Sequence, residues 1–349
     1  MKELHQSLLK SEGFINLSAI FNYANKTALN SQGGIEETVY AVIRDALLQN
    51  SSLRVDANDR QKLGLDIKTD PLLNLIHAKE IAKWRGHHVF IACMPKSGSS
   101  FLSTLISQGL DYTFSTVTSS RRTDPSLHGV NPREQELCEL AILNSVLNNQ
   151  TPHIVAQHHT KGSPYTAQIL SAYNFRVIVQ TRNVFDILVS ADDMLKDWNV
   201  SNPKYQGAAS LPLDFNTLEV KTRYDLLAKG LGIWCINFYV SWLRQRSMGT
   251  KFLHVDYNKD IAADIGDKLS LGKKLSDFLS LDEMQSQNLK SLFEKDQIDE
   301  TQSRFNRGVS NRGLEVPSCV RGYLIDYAKQ FSSELDAGDY KRLFGTILN

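Results

Sequence analysis

The stretch "HVFIACMPKSGSSF", residues 88–101, runs from an apolar segment straight into a turn crowded with Lys, Ser and Gly. Its first six residues, rich in Val, Phe and Ile, read as a strand buried on both faces. Residues 99–109 read as the helix that follows. A strand–turn–helix with glycine and serines at the turn aims several backbone N–H groups at one point. The helix N-terminus adds a partial positive charge there, so the turn is a cradle for an anion. Gly98 lets the backbone approach closely, Ser97, Ser99 and Ser100 offer hydroxyls, and Lys96 supplies a full charge. A plain capped helix start with a solvated lysine would use the same residues. The order is not that of a nucleotide-triphosphatase loop, G-x-x-x-x-G-K-[ST], because Lys96 precedes the only glycine and no lysine follows it.

A second stretch, "FRVIVQTRNVFDILVSADDML" (175–195), has the same grammar: an apolar strand ending in Thr181-Arg182, then a helix. An arginine at the carboxyl end of a parallel strand lies in the crevice where α/β sheets bind ligands. Ser190, about two helical turns beyond, can point back toward it. Arg182 and Ser190 are thus candidates for a second phosphate, several strands away from the first. "HIVAQ" (153–157) and "KFLHVDY" (251–257) are further short apolar runs, and helical stretches fall at 99–109, 134–149, 184–197 and 217–247. The alternation predicts an α/β fold: a three-layer sandwich with a central parallel sheet flanked by helices. Residues 1–86 read as a mostly helical N-terminal extension, docked on a main domain over 87–349.

Bulk properties narrow the function. The 349 residues are 42% hydrophobic and 22% charged with a net charge of +1, which disfavours a surface that coats nucleic acid. The four cysteines are far apart and form no C-x-x-C pair, as expected of free thiols and not of a zinc site or a disulfide framework. The N-terminus has no signal-peptide core, and "LGIWCINFYVSWL" (231–243) is short for a membrane span. The expected setting is cytoplasmic, with no membrane or nucleic-acid partner.

The two phosphate motifs together resemble a known family. "PKSGSSF" is similar to the 5′-phosphosulfate loop P-K-S-G-T-T-W of sulfotransferases that use 3′-phosphoadenosine 5′-phosphosulfate (PAPS). "RNVFDILVS" is similar to their 3′-phosphate segment R-[DN]-P-x-D-x-x-V-S. The resemblance covers roughly residues 87–325 and implies a P-loop-like sulfotransferase fold. "HIVAQHHTKGSP" lies where that family has a strand ending in a basic histidine, which puts His158 on that position and His159 next to it. The family's preceding lysine is replaced by Ala156 or Gln157. "RFNRGVSNRG" (304–313) resembles the family's cofactor-closing loop, with Arg307 and Gly308 on its K-G pair, Asn306 at its arginine position, and Arg304 or Arg312 as a substitute charge. Phe101 stands for the family's tryptophan beside adenine, and the resemblance makes Tyr257 a candidate adenine contact.

The resemblance implies in-line transfer of a sulfuryl group from PAPS to a hydroxyl, or an amine, of a small-molecule or saccharide acceptor, with no metal required. Lys96 would stabilise charge on the leaving phosphate oxygen. His158 would take the acceptor's proton. Ser190 is carried with the 3′-phosphate site. The alternatives are a P-loop-type nucleotide-dependent kinase and a non-catalytic nucleotide-binding protein. The first lacks Gly-Lys-[Ser/Thr]; the second leaves Lys96 and a histidine base without a purpose. Asp192 and Asp193 project about 100° apart on a helix, so the pair reads as a solvated face and not a metal site.

Overall fold

The apolar run at 88–93 forms β1 (His88–Cys93), with all six residues buried. In the computed structural model the described residues are 14–15, 54–55, 88–118, 136–139, 141–142, 145, 153–197, 211–212, 214–262, 265–294 and 311–345. After β1 come α1 (Ser99–Leu110), β2 (Thr113–Phe114), β3 (Ile154–His158), α2 (Pro164–Ala172), β4 (Phe175–Thr181) and α3 (Val184–Asp197). The chain continues through α4 (Val220–Leu227), a π-helical turn (Ala228–Gly232), α5 (Ile233–Ser247), β5 (Phe252–Asp256) and a second π-helical turn (Tyr257–Ile261). It ends with α6 (Ile265–Leu279), α7 (Glu283–Glu294), α8 (Ser318–Lys329) and α9 (Ala337–Phe344).

The five strands form one sheet in the order β2-β3-β1-β4-β5, with every pairing parallel. Alternation along the strands divides the core in two. Phe90, Ala92, Ile154, Ala156, Val177 and Val179 face the layer built from α2, α3, α4, α5, α8 and α9. Val89, Ile91, Cys93, Val155, Ile178 and Val255 face α1, α6 and α7. This is the three-layer α/β sandwich that the strand–helix alternation predicts. From β1 the chain passes to β2 and β3 on one side of the sheet, then to β4 and β5 on the other. The carboxyl end of β1 is therefore a topological switch point, where a crevice opens between diverging connections.

β1, β4 and α3 coincide with the expected segments, and β3 and β5 differ from theirs by single residues at the ends. One expectation of spacing is corrected: β4 is hydrogen-bonded directly to β1, so the arginine that follows β4 is one strand from the turn and not several. The apolar segment 231–243 belongs to a continuous helix, Val220–Ser247, long and apolar enough to cross a membrane by length and composition. In the fold it is a core helix, with Trp234, Phe238, Tyr239 and Trp242 buried against the sheet. Of the expected extension over 1–86, only Phe14–Ile15 and Arg54–Val55 are described, and these two dipeptides pair as parallel strands. The rest of that segment, and most of the helix expected at 134–149, lie outside the described residues.

Candidate functional site

The turn after β1 is wired from below. Ser97 Oγ donates to the Met94 carbonyl at 2.6 Å, Gln180 Nε2 donates to the Ser97 carbonyl at 2.6 Å, and Arg182 Nη1 donates to the Lys96 carbonyl at 2.7 Å. With trans, planar peptides, a carbonyl tied inward turns the next N–H outward. The N–H groups of Ser97 and Gly98 therefore point away from the core, and those of Ser99 and Ser100 are the unpaired donors of the first turn of α1. Lys96 and Gly98 both have positive φ, 60° and 77°, on either side of Ser97. Alternating backbone handedness of this kind gathers successive N–H groups into an anion-binding concavity. Gly98 is obligatory twice over: its φ is left-handed, and a Cβ there would sit 2.8 Å from the Tyr257 ring.

Arg182 is buried at 6% exposure, with its guanidinium 4.1 Å from the centre of the Tyr257 ring. Burial pulls it below the ordinary guanidinium value, while Tyr257 and Asp186 oppose that fall. The cation sits beneath the loop, and an arriving dianion would relieve its desolvation. Asn183 Oδ1 accepts the N–H groups of Phe185 and Asp186, which caps α3 immediately after the arginine. Lys96 Nζ lies 3.6 Å from Met194 Sδ on α3. Lys96, Gly98, Arg182 and Tyr257, drawn from three separate stretches of sequence, meet at one place.

The two histidines after β3 differ sharply. His158 is buried at 5% exposure. Its Nε2 accepts the Val117 N–H at 3.1 Å, its Nδ1 lies 3.4 Å from Thr118 Oγ1, and its ring stacks on Phe90. A lone pair committed to a buried N–H cannot take a substrate proton without orphaning that donor. His159 is half-buried and is the first residue past the end of β3. Its Nδ1 is 2.9 Å from the Cys93 carbonyl, an oxygen that can only accept. Nδ1 therefore carries the proton and Nε2 the lone pair. The two rings, one residue apart, are thus held in different ways: His158 through Nε2 on a buried N–H, His159 through Nδ1 on a carbonyl.

The other expected residues divide between the loop and the core. Ser97 is fully buried and its hydroxyl is turned into its own loop, so only its N–H can face an anion. Ser99 Oγ accepts from Gln157 Nε2 at 3.0 Å, and Ser100 is half-buried at the loop's end. Phe101 packs in the core, 6.3 Å from Phe293. Ser190 is buried on α3. The expected solvated pair is corrected: Asp192 is 1% exposed and takes both Arg223, at 2.8 Å, and Lys196, at 2.6 Å. Asp193 pairs with Arg312, which is also held by Glu315. Arg307, Gly308, Asn306 and Arg304 lie outside the described residues. Among the described residues no group of three or more His, Cys, Asp or Glu side chains is placed to hold a metal ion.

Three residues that organise the site went unassigned in the sequence. Gln157 and Gln180 are the next-to-last residues of apolar strands, and a polar side chain inside such a run was the available signal. Cys93 ends an apolar run, but a cysteine there looks like any small core residue. Burial pushes its thiol up, yet the charge of His159 and hydrogen bonds from His159, Ser99 and Gln157 outweigh that and bring it below the ordinary value.

No family model matches the chain, and no curated protein matches its sequence. Among solved structures, that of mouse sulfotransferase SULT7A1 complexed with PAP is similar, with 16% identity and a TM-score of 0.48 over 73% of this chain and 86% of that chain.

Proposed function

We propose that this chain is a PAPS-dependent sulfotransferase that moves a sulfuryl group to a hydroxyl of a small-molecule or saccharide acceptor. One observation carries the reading: Arg182 Nη1 bonds the carbonyl of Lys96 at 2.7 Å. A nest of N–H groups and a buried cation that flank one peptide suit the two phosphates of one nucleotide. The N–H groups of Ser97, Gly98, Ser99 and Ser100 hold the 5′-phosphate, and Arg182, with Ser190 further along α3, serves the 3′-phosphate. Tyr257 lies beside adenine.

The reaction forms one S–O bond, to the acceptor, and breaks the S–O bond to the 5′-phosphate. The acceptor's proton passes to His159 Nε2, while negative charge collects on the leaving phosphate oxygen. Lys96 lies in the same loop to meet that charge, and a contact that strengthens as charge develops lowers the barrier. The cytoplasmic setting and metal independence belong to the same proposal.

The test is transfer of labelled sulfate from PAPS to a panel of hydroxyl acceptors, in the presence of a chelator. His159→Ala should lose roughly 10²–10⁴ in kcat, the usual contribution of a positioned base, and Lys96→Ala should fall comparably. His158→Ala should keep its turnover per folded molecule but melt earlier, having left the Val117 N–H unpaired at a cost of about 1–3 kcal/mol. No transfer by the wild type, or full activity in His159→Ala, sinks the assignment.

A further inference from the structure

We propose that Cys93 is the positioning residue of the base, holding His159 through its thiol and its carbonyl together, and that Gln157 ties this contact to the anion cradle. The inference rests on the reading of His159 as the base. His159 Nδ1 is 2.9 Å from the Cys93 carbonyl and 3.4 Å from Cys93 Sγ, so a single N–H is shared between two acceptors of one residue. The same sulfur receives Gln157 Nε2 at 3.4 Å and lies 3.5 Å from the His158 carbonyl, to which its S–H points. Gln157 Nε2 also reaches Ser99 Oγ at 3.0 Å, in the first turn of α1.

A small apolar core residue would attract none of these partners. Cys93 is fully buried, yet its sulfur lies among three polar side chains at the carboxyl end of the central strand. Sulfur is a weak but polarisable acceptor. When Nε2 takes a proton, positive charge spreads over the imidazole and the Nδ1–H becomes a stronger donor. A carbonyl dipole and a sulfur already aimed at that hydrogen stabilise the cation with no rearrangement. The thiol, held below its ordinary value by His159 and its hydrogen-bond partners against the effect of burial, points the same way. The Lys161 ammonium lies 5.9 Å from the centre of the Trp234 ring, and the His159 ring meets the same indole edge-on.

The experiment is an NMR titration of imidazole-labelled histidines in the full chain, for wild type, Cys93→Ala, Cys93→Ser and Gln157→Leu. Losing the sulfur should lower the His159 pKa by about one unit and move the acid limb of the pH–rate profile down with it. Cys93→Ser, which keeps an acceptor, should restore most of the shift. Gln157→Leu should move it in the same direction by less. An unchanged His159 titration in Cys93→Ala overturns the proposal, as does a shift shared by all the histidines, the mark of a loosened core. Because the titration needs no turnover, the two readings fail separately. The expected shift without sulfuryl transfer refutes the transferase and leaves the Cys93–His159 contact standing; transfer with an unshifted titration does the reverse.

Discussion

Arg182 has two duties that a mutation cannot separate: it braces the Lys96 carbonyl and it presents a buried charge beside Tyr257. Arg182→Ala should therefore weaken every nucleotide through the loop, and weaken a 3′-phosphorylated nucleotide further through the lost ion contact. A charge-assisted hydrogen bond contributes about 1.5–3 kcal/mol, so the extra loss for adenosine 3′,5′-bisphosphate over adenosine 5′-monophosphate should be roughly tenfold to a hundredfold. Calorimetric titration of both ligands measures it, and equal losses refute the two-phosphate assignment. The placement of Lys96, Gly98 and Arg182 was legible because strand ends are marked by the chain order. The choice between His158 and His159 was not. Adjacent residues of a strand face opposite sides, and only the structure tells which of two histidines is still in the strand. His158 is its last residue and turns into the layer of Phe90; His159 is past it.

β1 and β4 could be read to the residue because central strands of a parallel sheet are apolar throughout, and polar turns bracket both runs. β2 is two residues long, too short for any periodicity, and the π-helical turn at Tyr257–Ile261 has no signature in residue spacing. That turn matters, since it delivers Tyr257 to Gly98. Its neighbour β5 carries a titration of its own. His254 Nε2 is 2.8 Å from Thr181 Oγ1 on β4, and its pKa is lowered from 6.5 to about 3 by burial first and then by Arg342, Arg246, Lys259 and Lys274. The folded state thus binds fewer protons than the unfolded one below pH 6.5. His254 contributes stability in full above that pH and loses it as pH falls toward about 3. One proton gives a slope of about 1.4 kcal/mol per pH unit. Urea midpoints measured between pH 6.5 and pH 5 should fall with pH in the wild type and flatten in His254→Gln. The same slope in both would assign the acid sensitivity elsewhere.

For the whole molecule, the sheet order β2-β3-β1-β4-β5 brings three strand ends side by side: His159 after β3, the cradle after β1 and Arg182 after β4. Sequence patterning can identify strands, but pairing order is decided by tertiary packing of the helices between them, and for that reason Arg182 was expected farther off. The adjacency has a thermodynamic consequence. A ligand that spans the cradle and Arg182 bridges β1, β4 and α3, all core elements, so it must bind the folded state and not the unfolded one. Adenosine 3′,5′-bisphosphate at 100 times its Kd should then add about 2.7 kcal/mol to unfolding stability. ATP with magnesium lacks the 3′-phosphate and should add much less at equal concentration. Glycine-lysine loops of nucleotide triphosphatases put the lysine after the glycine, where it serves the β- and γ-phosphates; here Lys96 sits before Gly98, in the half of the turn that Arg182 braces. Denaturant unfolding with each nucleotide separates the two designs. Equal stabilisation by both, or a greater effect of ATP, would mean that the buried arginine serves the fold alone and that the anion cradle holds a different phosphate compound.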